Sequence, residues 1–424
     1  MTWAMPTPVA AVTGPLRAQP GVARRERVAA IDIMRGAVMV LMLLDHVRDM
    51  VHVQAHDFSP TDPDRTSLAL FFTRWVTHFC APIFVLLAGV GIRMQAAAGM
   101  PPATLSRFLV TRGLWLVFLE FTAVRAGVFF SFDPHFLGFM QVIWVIGVSM
   151  VLLAALVRLP APVVTAIGLG ICVLHNLLDH VGPAPVAAGT ATPWPVVLWM
   201  ILHRFGQAFT SDGRMAFIVY PLIPWVGLMA VGYGLGAVFG WEAARRHRFL
   251  VRAGAAAVVA FVILRALGKW GGYGDPSPAT PQPTAARALM SFLNVTKYPP
   301  SLDYLLMTCG PALLLLAALE AAERTRASRW LAPLETLGRV PLFYYLLQWP
   351  YAHLAGLLLG ALTGQSLTHF FRSPPDAFRL AHGFGFSLPV VYLVWVAGVL
   401  LLYLPCRAYA RAKRRYRKWW MSYL

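Results

Sequence analysis

The sequence predicts an all-α membrane protein: a bundle of about ten transmembrane helices with one further interfacial or re-entrant helix. Two observations lead to this prediction. Of the 424 residues, 58% are hydrophobic and only 13% are charged, whereas a soluble globular chain carries about a quarter charged residues. Apolar runs of about 20 residues, the length that crosses a bilayer, recur along almost the whole chain. A chain so poor in charge would aggregate in water, so we exclude an ordinary soluble protein.

Ten apolar segments are the predicted spans: residues 29–52, 68–92, 108–131, 136–158, 161–181, 215–240, 248–268, 301–322, 336–360 and 386–406. A shorter segment, 193–209, contains His203 and Arg204. If it does not cross, the main basic clusters share one side of the membrane: 17–27, 93–112, 245–252, 324–329 and 407–418. Positive charge marks the cytoplasmic side. We therefore predict that 193–209 does not cross and that both termini are cytoplasmic.

One membrane domain is expected, from residue 28 to residue 406. Residues 1–27 are expected to be a disordered cytoplasmic tail, and residues 407–424 a basic, aromatic tail suited to an anionic leaflet. The net charge of +18 lies in clusters between apolar runs, so we expect no nucleic-acid partner. The four cysteines are isolated in sequence and indicate neither a metal site nor a disulfide framework.

Ionisable side chains inside the first two spans are the main catalytic candidates, because charge in the hydrocarbon layer is costly unless it is paired or hydrated. Asp45 and His46 lie near the outer end of the first span. Arg74 and His78 share one face of the second, where Pro82 should also free the His78 carbonyl. We expect the four side chains at similar depth, with His46 or His78 as general base, Asp45 orienting it and Arg74 holding negative charge.

Further polar residues are candidates for binding substrate. They occur near the inner end of the first span, in a segment that opens a later span from the outer side, and at the start of the ninth span. Together with Arg74 they are Asp32, Arg35, Lys297, Tyr298, Asp303 and Arg339. At the start of a helix, an acidic side chain is also favoured by the helix dipole alone, which gives Asp303 a purely structural explanation.

Several motifs resemble the catalytic membrane domain of the heparan-alpha-glucosaminide N-acetyltransferase family. They are Asp32-x-x-Arg35-Gly36, the run Pro82–Gly89, Tyr220–Gly227, Lys297–Tyr304 and Leu337–Leu347. The resemblance implies a multi-pass acyltransferase, here of a bacterial cytoplasmic (inner) membrane. Cytoplasmic acetyl-CoA, or another acyl-CoA, would donate an acyl group to a sugar or envelope-type acceptor on the outer side.

The resemblance also bears on three candidate histidines. His46 falls on the position of an asparagine implicated in the family's reaction, and His78 replaces an aspartate of the second span. His56 falls close to a histidine of the first outer loop, and so joins His46, His78 and Asp45 as a catalytic candidate.

A proton-coupled membrane transporter is the alternative function, since buried Asp and His side chains also relay protons. A purely structural membrane scaffold is a further alternative, and it would tolerate loss of the buried charges. Matched histidine pairs on facing spans, which would hold haem, do not occur in the pattern. We expect no metal or haem, and as partners the lipid bilayer, acyl-CoA and the acceptor. A homodimer is left open.

Overall fold

The computed structural model describes residues 28–55, 57–268, 273–325, 328–372, 383–416 and 418–423. The α-helices are α1 Ala29–Val51, α2 Leu68–Thr77, α3 Cys80–Ala97, α4 Pro102–Leu119, α5 Arg125–Phe129, α6 Val142–Leu156, α7 Ala161–Leu174, α8 Trp194–His203, α9 Leu222–Leu235, α10 Ala243–Gly268, α11 Ala285–Leu293, α12 Leu302–Glu323, α13 Ser328–Gly338, α14 Pro341–Leu362 and α15 Leu388–Tyr416. A π-helical turn, Glu120–Val124, joins α4 to α5, and 3-10 turns cover His175–His180, Gly236–Gly240, Thr368–Phe371 and Trp419–Ser422.

Six helical segments of the described residues are long and apolar enough to cross a membrane: Leu68–Ala97, Ala161–His180, Leu222–Gly240, Ala243–Gly268, Leu302–Glu323 and Leu388–Tyr416. The last of these continues past the predicted domain boundary at residue 406. α1 has 23 residues, but charged side chains interrupt its apolar run. The total of ten spans stays a prediction. α8 has ten residues, too few to cross alone, in agreement with the predicted non-spanning role of this segment.

The described residues are mostly helical, as predicted, and they also form one small sheet that the all-α prediction did not include. Its strands are β1 Phe136–Met140, β2 Gly206–Phe209 and β3 Met215–Ile218, in the order β1-β3-β2, with β3 parallel to β1 and antiparallel to β2. The helices of two predicted spans consequently begin later than expected, at Val142 and Leu222. The strands are short and apolar, and β1 pairs with β3, which is distant in sequence. The local hydrophobic pattern therefore did not distinguish the strands from helix ends. We call this end of the molecule the sheet face, and the end where α1 begins the basic face.

α1 is the central helix of the bundle. It packs against α2, α3, α12, α13, α14 and α15. Two of its middle carbonyls accept side-chain hydrogen bonds from different helices. Gln348 Nε2 donates to the Met39 carbonyl at 3.1 Å, and Trp395 Nε1 donates to the Val40 carbonyl at 2.8 Å. Because protein surrounds this helix on several sides, its charged side chains can find protein partners rather than lipid.

Two helix crossings depend on glycines of the sequence motifs. A Cβ on Gly36 of α1 would lie 1.8 Å from the carbonyl oxygen of Leu334 in α13, and a Cβ on Gly338 would lie 1.7 Å from a carbonyl oxygen of α1. Gly89 of α3 and Gly232 of α9 would likewise meet each other's helices at 2.1 and 2.2 Å. Such contacts bring helices together backbone to backbone, as small residues allow. The motif glycines therefore set the positions of the helices around α1.

We expect Gly36→Ala to destabilise the protein by on the order of 3 kcal/mol, since the new methyl group cannot fit without moving α1 away from α13. Apparent unfolding temperature in detergent measures the effect. Gly170→Ala in α7 is the matched control, because nothing lies within 4 Å of a Cβ there and alanine favours a helix. Equal stability of the two variants would contradict the close crossing.

Candidate active site

The second predicted span is a helix interrupted at His78 and Phe79, between α2 and α3. Pro82 lacks the N–H that would bond to the His78 carbonyl in a continuous helix. The Tyr304 hydroxyl of α12 donates to that carbonyl instead, at 2.7 Å. The predicted free carbonyl near His78 is thus confirmed, with Tyr304 as its partner. The imidazole of His78 is buried, with its ring edge-on to Tyr304 at a centroid distance of 5.7 Å.

An ion-pair cluster links α1 to α2. Arg74 donates to one carboxylate oxygen of Asp45, and Arg48 lies 3.1 Å from the other. The side chains of all three are at most 17% exposed. His46 follows Asp45 on the helix and projects about 100° away from it. The carboxylate of Asp45 thus pairs with Arg74 and Arg48, and Arg48 also pairs with Asp49. The role of Asp45 in orienting His46 stays a prediction.

An aromatic side chain holds the His46 ring. The imidazole stacks on Trp349 of α14, with centroids 3.7 Å apart and planes inclined by 19°. Tyr345, one turn earlier on the same helix, meets it edge-on at 6.2 Å. The residue is 7% exposed, and Nδ1 has no hydrogen-bond partner within the described parts of the chain. Stacking therefore orients the ring and leaves this nitrogen without a protein partner.

Three neighbouring cavities follow α1 from one face of the molecule to the other. The basic cavity has a volume of about 640 Å³ and lies toward the start of α1. Apolar side chains from α1, α3, α4, α6 and α14 form most of its wall, and four cationic side chains join them: Arg35, Arg112, Arg339 and Lys413. Arg35 Nη2 also donates to the Leu87 carbonyl of α3 at 2.9 Å. The basic cavity thus combines a long apolar wall with concentrated positive charge.

The junction cavity, of about 90 Å³, is the smallest and most polar of the three. Its wall contains Met42, Asp45, His46, Asp49, Arg74, Thr77, Cys80, Ala81, Gln141, Val142, Tyr220, Lys297, Tyr298 and Trp349. It shares Met42 and Val142 with the basic cavity. The sheet cavity, of about 770 Å³, follows on the other side and shares with the junction cavity the side chains Asp49, Arg74, Lys297 and Tyr298. The junction cavity therefore lies between two larger spaces.

The predicted residues are distributed over these cavities. Asp45, His46, Arg74, Lys297 and Tyr298 line the junction cavity, His78 lines the sheet cavity, and Arg35 and Arg339 line the basic cavity. Asp32 lies next to the basic cavity, with its carboxylate 3.5 Å from Arg35. His56 lies outside the described residues. Thus Asp45, His46 and Arg74 meet as expected, whereas His78 faces a different, adjoining space.

Asp303 lies away from all three cavity walls. Its side chain is buried beside Gly274, and its N–H donates to the Gly274 carbonyl at 3.0 Å. The neighbouring Asp275 accepts hydrogen bonds from the backbone and the hydroxyl of Thr296, at 2.7 and 2.8 Å. Asp303 thus lies beside a polar cluster around Asp275 that fixes the segment leading to Lys297. The substrate contact of Asp303 stays a prediction.

Several cavity residues were not predicted. Trp349 looks apolar in sequence, and only its position in a polar-aromatic stripe of α14 could have singled it out. Gln141 is a polar residue near the start of the mostly apolar predicted span 136–158, which is a usable signal. In the sequence, Arg112 and Lys413 resemble ordinary cytoplasmic charges. The local sequence does not show that α4 and α15 bring these two side chains to one cavity.

Clusters of three or more His, Cys, Asp or Glu side chains that could hold a metal ion are absent from the described residues. A family model described as heparan-alpha-glucosaminide N-acetyltransferase, catalytic, matches residues 27–270, more than half of the chain. No curated protein matches the chain. The matched region includes α1, α2, α3 and α9, whereas Lys297, Arg339 and Trp349 follow it in sequence.

We expect Asp45→Asn and Arg74→Gln each to destabilise the protein by about 3 kcal/mol, because each leaves its partner as an uncompensated buried charge. The double variant should lose less than the sum of the two, since neither charge then remains alone. Unfolding in detergent, analysed as a double-mutant cycle, measures the coupling.

Asp212→Asn is the control for this cycle. It breaks the Asp212–Arg214 pair, which is also close at 2.8 Å but about half exposed, so stability should hardly change. Additive losses for Asp45→Asn and Arg74→Gln would show that these side chains do not depend on each other.

Proposed function

Because the chain belongs to the heparan-alpha-glucosaminide N-acetyltransferase catalytic family, whose chemistry is that of a membrane acetyltransferase, we propose that it transfers an acetyl group from cytoplasmic acetyl-CoA to a sugar or envelope-type acceptor across a bacterial inner membrane. The observation that carries this proposal is the row of three cavities along α1, with His46 in the small central one. In this proposal the basic face is cytoplasmic and the sheet face is external.

The basic cavity suits acyl-CoA. Guanidinium and ammonium groups bind phosphate oxygens by charge-assisted hydrogen bonds, and Arg35, Arg112, Arg339 and Lys413 supply such groups. The apolar wall suits the pantetheine arm. Along α1, the distance from Arg35 to His46 is about 16 Å at 1.5 Å per residue, a span that an extended pantetheine arm can cover. The thioester would then lie next to the junction cavity.

The transfer step follows from the junction cavity. An acceptor amine or hydroxyl attacks the thioester carbonyl carbon, a C–N or C–O bond forms, and the C–S bond breaks. His46 takes the proton from the acceptor and delivers it to the leaving thiolate, which yields CoA thiol and regenerates neutral imidazole. Lys297 and Arg74 line the same space and would stabilise the negative charge on the carbonyl oxygen.

The sheet cavity suits the acceptor. Phe205, Phe217 and Tyr298 present aromatic rings, while Gln207 and Thr61 add polar groups. Aromatic faces combined with a few placed polar groups are typical of sites that orient a small amphipathic ligand such as a sugar.

His78 lines the sheet cavity and is the second candidate to deprotonate the acceptor. His56, which lies outside the described residues, remains a candidate from the resemblance alone.

Purified protein in nanodiscs, supplied with radiolabelled acetyl-CoA and glucosamine, tests the function. Acceptor-dependent formation of acetylated product together with CoA thiol is expected. In proteoliposomes, proton-coupled solute flux without acyl-CoA would instead favour the transporter.

His46→Ala should lower kcat by about 10² to 10⁴-fold, the usual contribution of a general base, with little change in KM for acetyl-CoA. His353→Gln is the matched control. His353 is also a buried histidine, held by the Val128 carbonyl at 2.9 Å and stacked on Phe130, and it does not line the three cavities. Comparable turnover in wild type and His46→Ala would remove His46 from the mechanism.

Arg339→Gln and Arg112→Gln should each raise KM for acetyl-CoA about tenfold, because each removes a charged hydrogen bond to phosphate worth about 1.5 kcal/mol or more. kcat should change less. Arg107→Gln is the control on the same helix as Arg112, since Arg107 is exposed and does not line the cavity. Steady-state kinetics with varied acetyl-CoA measures all three, and an equal effect of Arg107→Gln would point to general surface charge instead.

A further inference from the structure

The boundary between the basic cavity and the junction cavity is formed by two apolar side chains. Met42 of α1 and Val142, the first residue of α6, line both spaces. Both side chains are buried, each with 6% exposure. Under the proposed function, the acyl group of the donor must pass or rest between them, because the thioester comes from one cavity and His46 lies in the other.

The junction cavity offers little room beyond this boundary. Its volume of about 90 Å³ is about one seventh of that of the basic cavity, about 640 Å³. An acetyl group has three heavy atoms: the carbonyl carbon, the carbonyl oxygen and the methyl carbon. A butyryl group adds two methylenes, which would need further room beside Met42, Val142 and the polar wall.

We propose that Met42 and Val142 set the acyl-chain length that the protein accepts, restricting transfer to acetyl and excluding chains of four or more carbons. This inference rests on the proposed function and names the two specificity-determining residues of its donor site. The transfer step is unchanged: the acceptor displaces CoA thiol from whichever thioester fits. Selection arises because a longer chain cannot bring its carbonyl carbon to His46 without steric overlap.

The chain offers close controls for both side chains. Met39 lies one turn before Met42 on α1, is buried, and lines the basic cavity without lining the junction cavity. Ile143, the residue directly after Val142, is also buried and lines the basic cavity without lining the junction cavity. Truncation at these neighbours removes similar volume from the donor site but leaves the boundary intact.

The experiment compares acetyl-CoA with butyryl-CoA in the nanodisc assay. Wild type should favour acetyl-CoA by at least about tenfold in kcat/KM, as is usual when a pocket rejects added methylenes. Met42→Ala should reduce that preference about tenfold, chiefly by raising butyryl transfer, and Met39→Ala should leave it unchanged. Val142→Ala, with Ile143→Ala as control, provides a second test should Met42→Ala fold poorly.

The results distinguish the chain-length role of Met42 and Val142 from the proposed function on which it rests. Acetyl transfer with an equally efficient butyryl transfer in wild type would overturn the chain-length role and leave the proposed function standing. An equal shift in Met39→Ala and Met42→Ala would also overturn it, because the whole donor site and not the boundary would then set the preference. Failure of wild type to transfer even acetyl would overturn the proposed function, and this inference with it.

Discussion

Charged side chains on α1 cannot face lipid, and the architecture follows from this constraint. Asp45 and Arg48 lie near the end of a helix that also carries His46, and each would cost several kcal/mol in hydrocarbon without a partner. Arg74 of α2 supplies one such partner. Asp45 also lines the junction cavity, and Arg48 lines the sheet cavity. Burial of α1 at the centre of the bundle and the presence of polar cavities beside it are thus two consequences of the same electrostatic requirement.

Close backbone contact and open space occur side by side in this bundle. Gly36 and Gly89 let α1 meet α13 and α3 meet α9 almost without side chains between them. Elsewhere the sheet cavity lies beside His78, where the hydrogen bonding of the second predicted span is interrupted between α2 and α3. Helices in close backbone contact therefore lie near the basic face, whereas loop residues form part of the wall of the sheet cavity.

Sequence reasoning worked where the signal is local. Apolar runs located the helices, the positions of Asp45 and Arg74 on the first two spans indicated that they lie at similar depth, and Pro82 located the carbonyl near His78 that the helix leaves unbonded. Sequence reasoning failed where the structure depends on contacts between segments that are distant in sequence. The strand Phe136–Met140 resembles the start of a span until its partners at 206–218 are known. Nothing in the composition shows that Trp349 would hold the ring of His46, because stacking depends on how α14 crosses α1.

A membrane protein with cavities on both sides of its centre must avoid a continuous file of water between them. Such a file would let protons cross and would dissipate the electrochemical gradient of the membrane. Two buried apolar side chains, Met42 and Val142, separate the basic cavity from the junction cavity. They offer water no hydrogen-bonding group at that point, and hydrophobic constrictions of this kind exclude water files by dewetting. In the proposed orientation, the same narrow place would keep protons from crossing the bilayer.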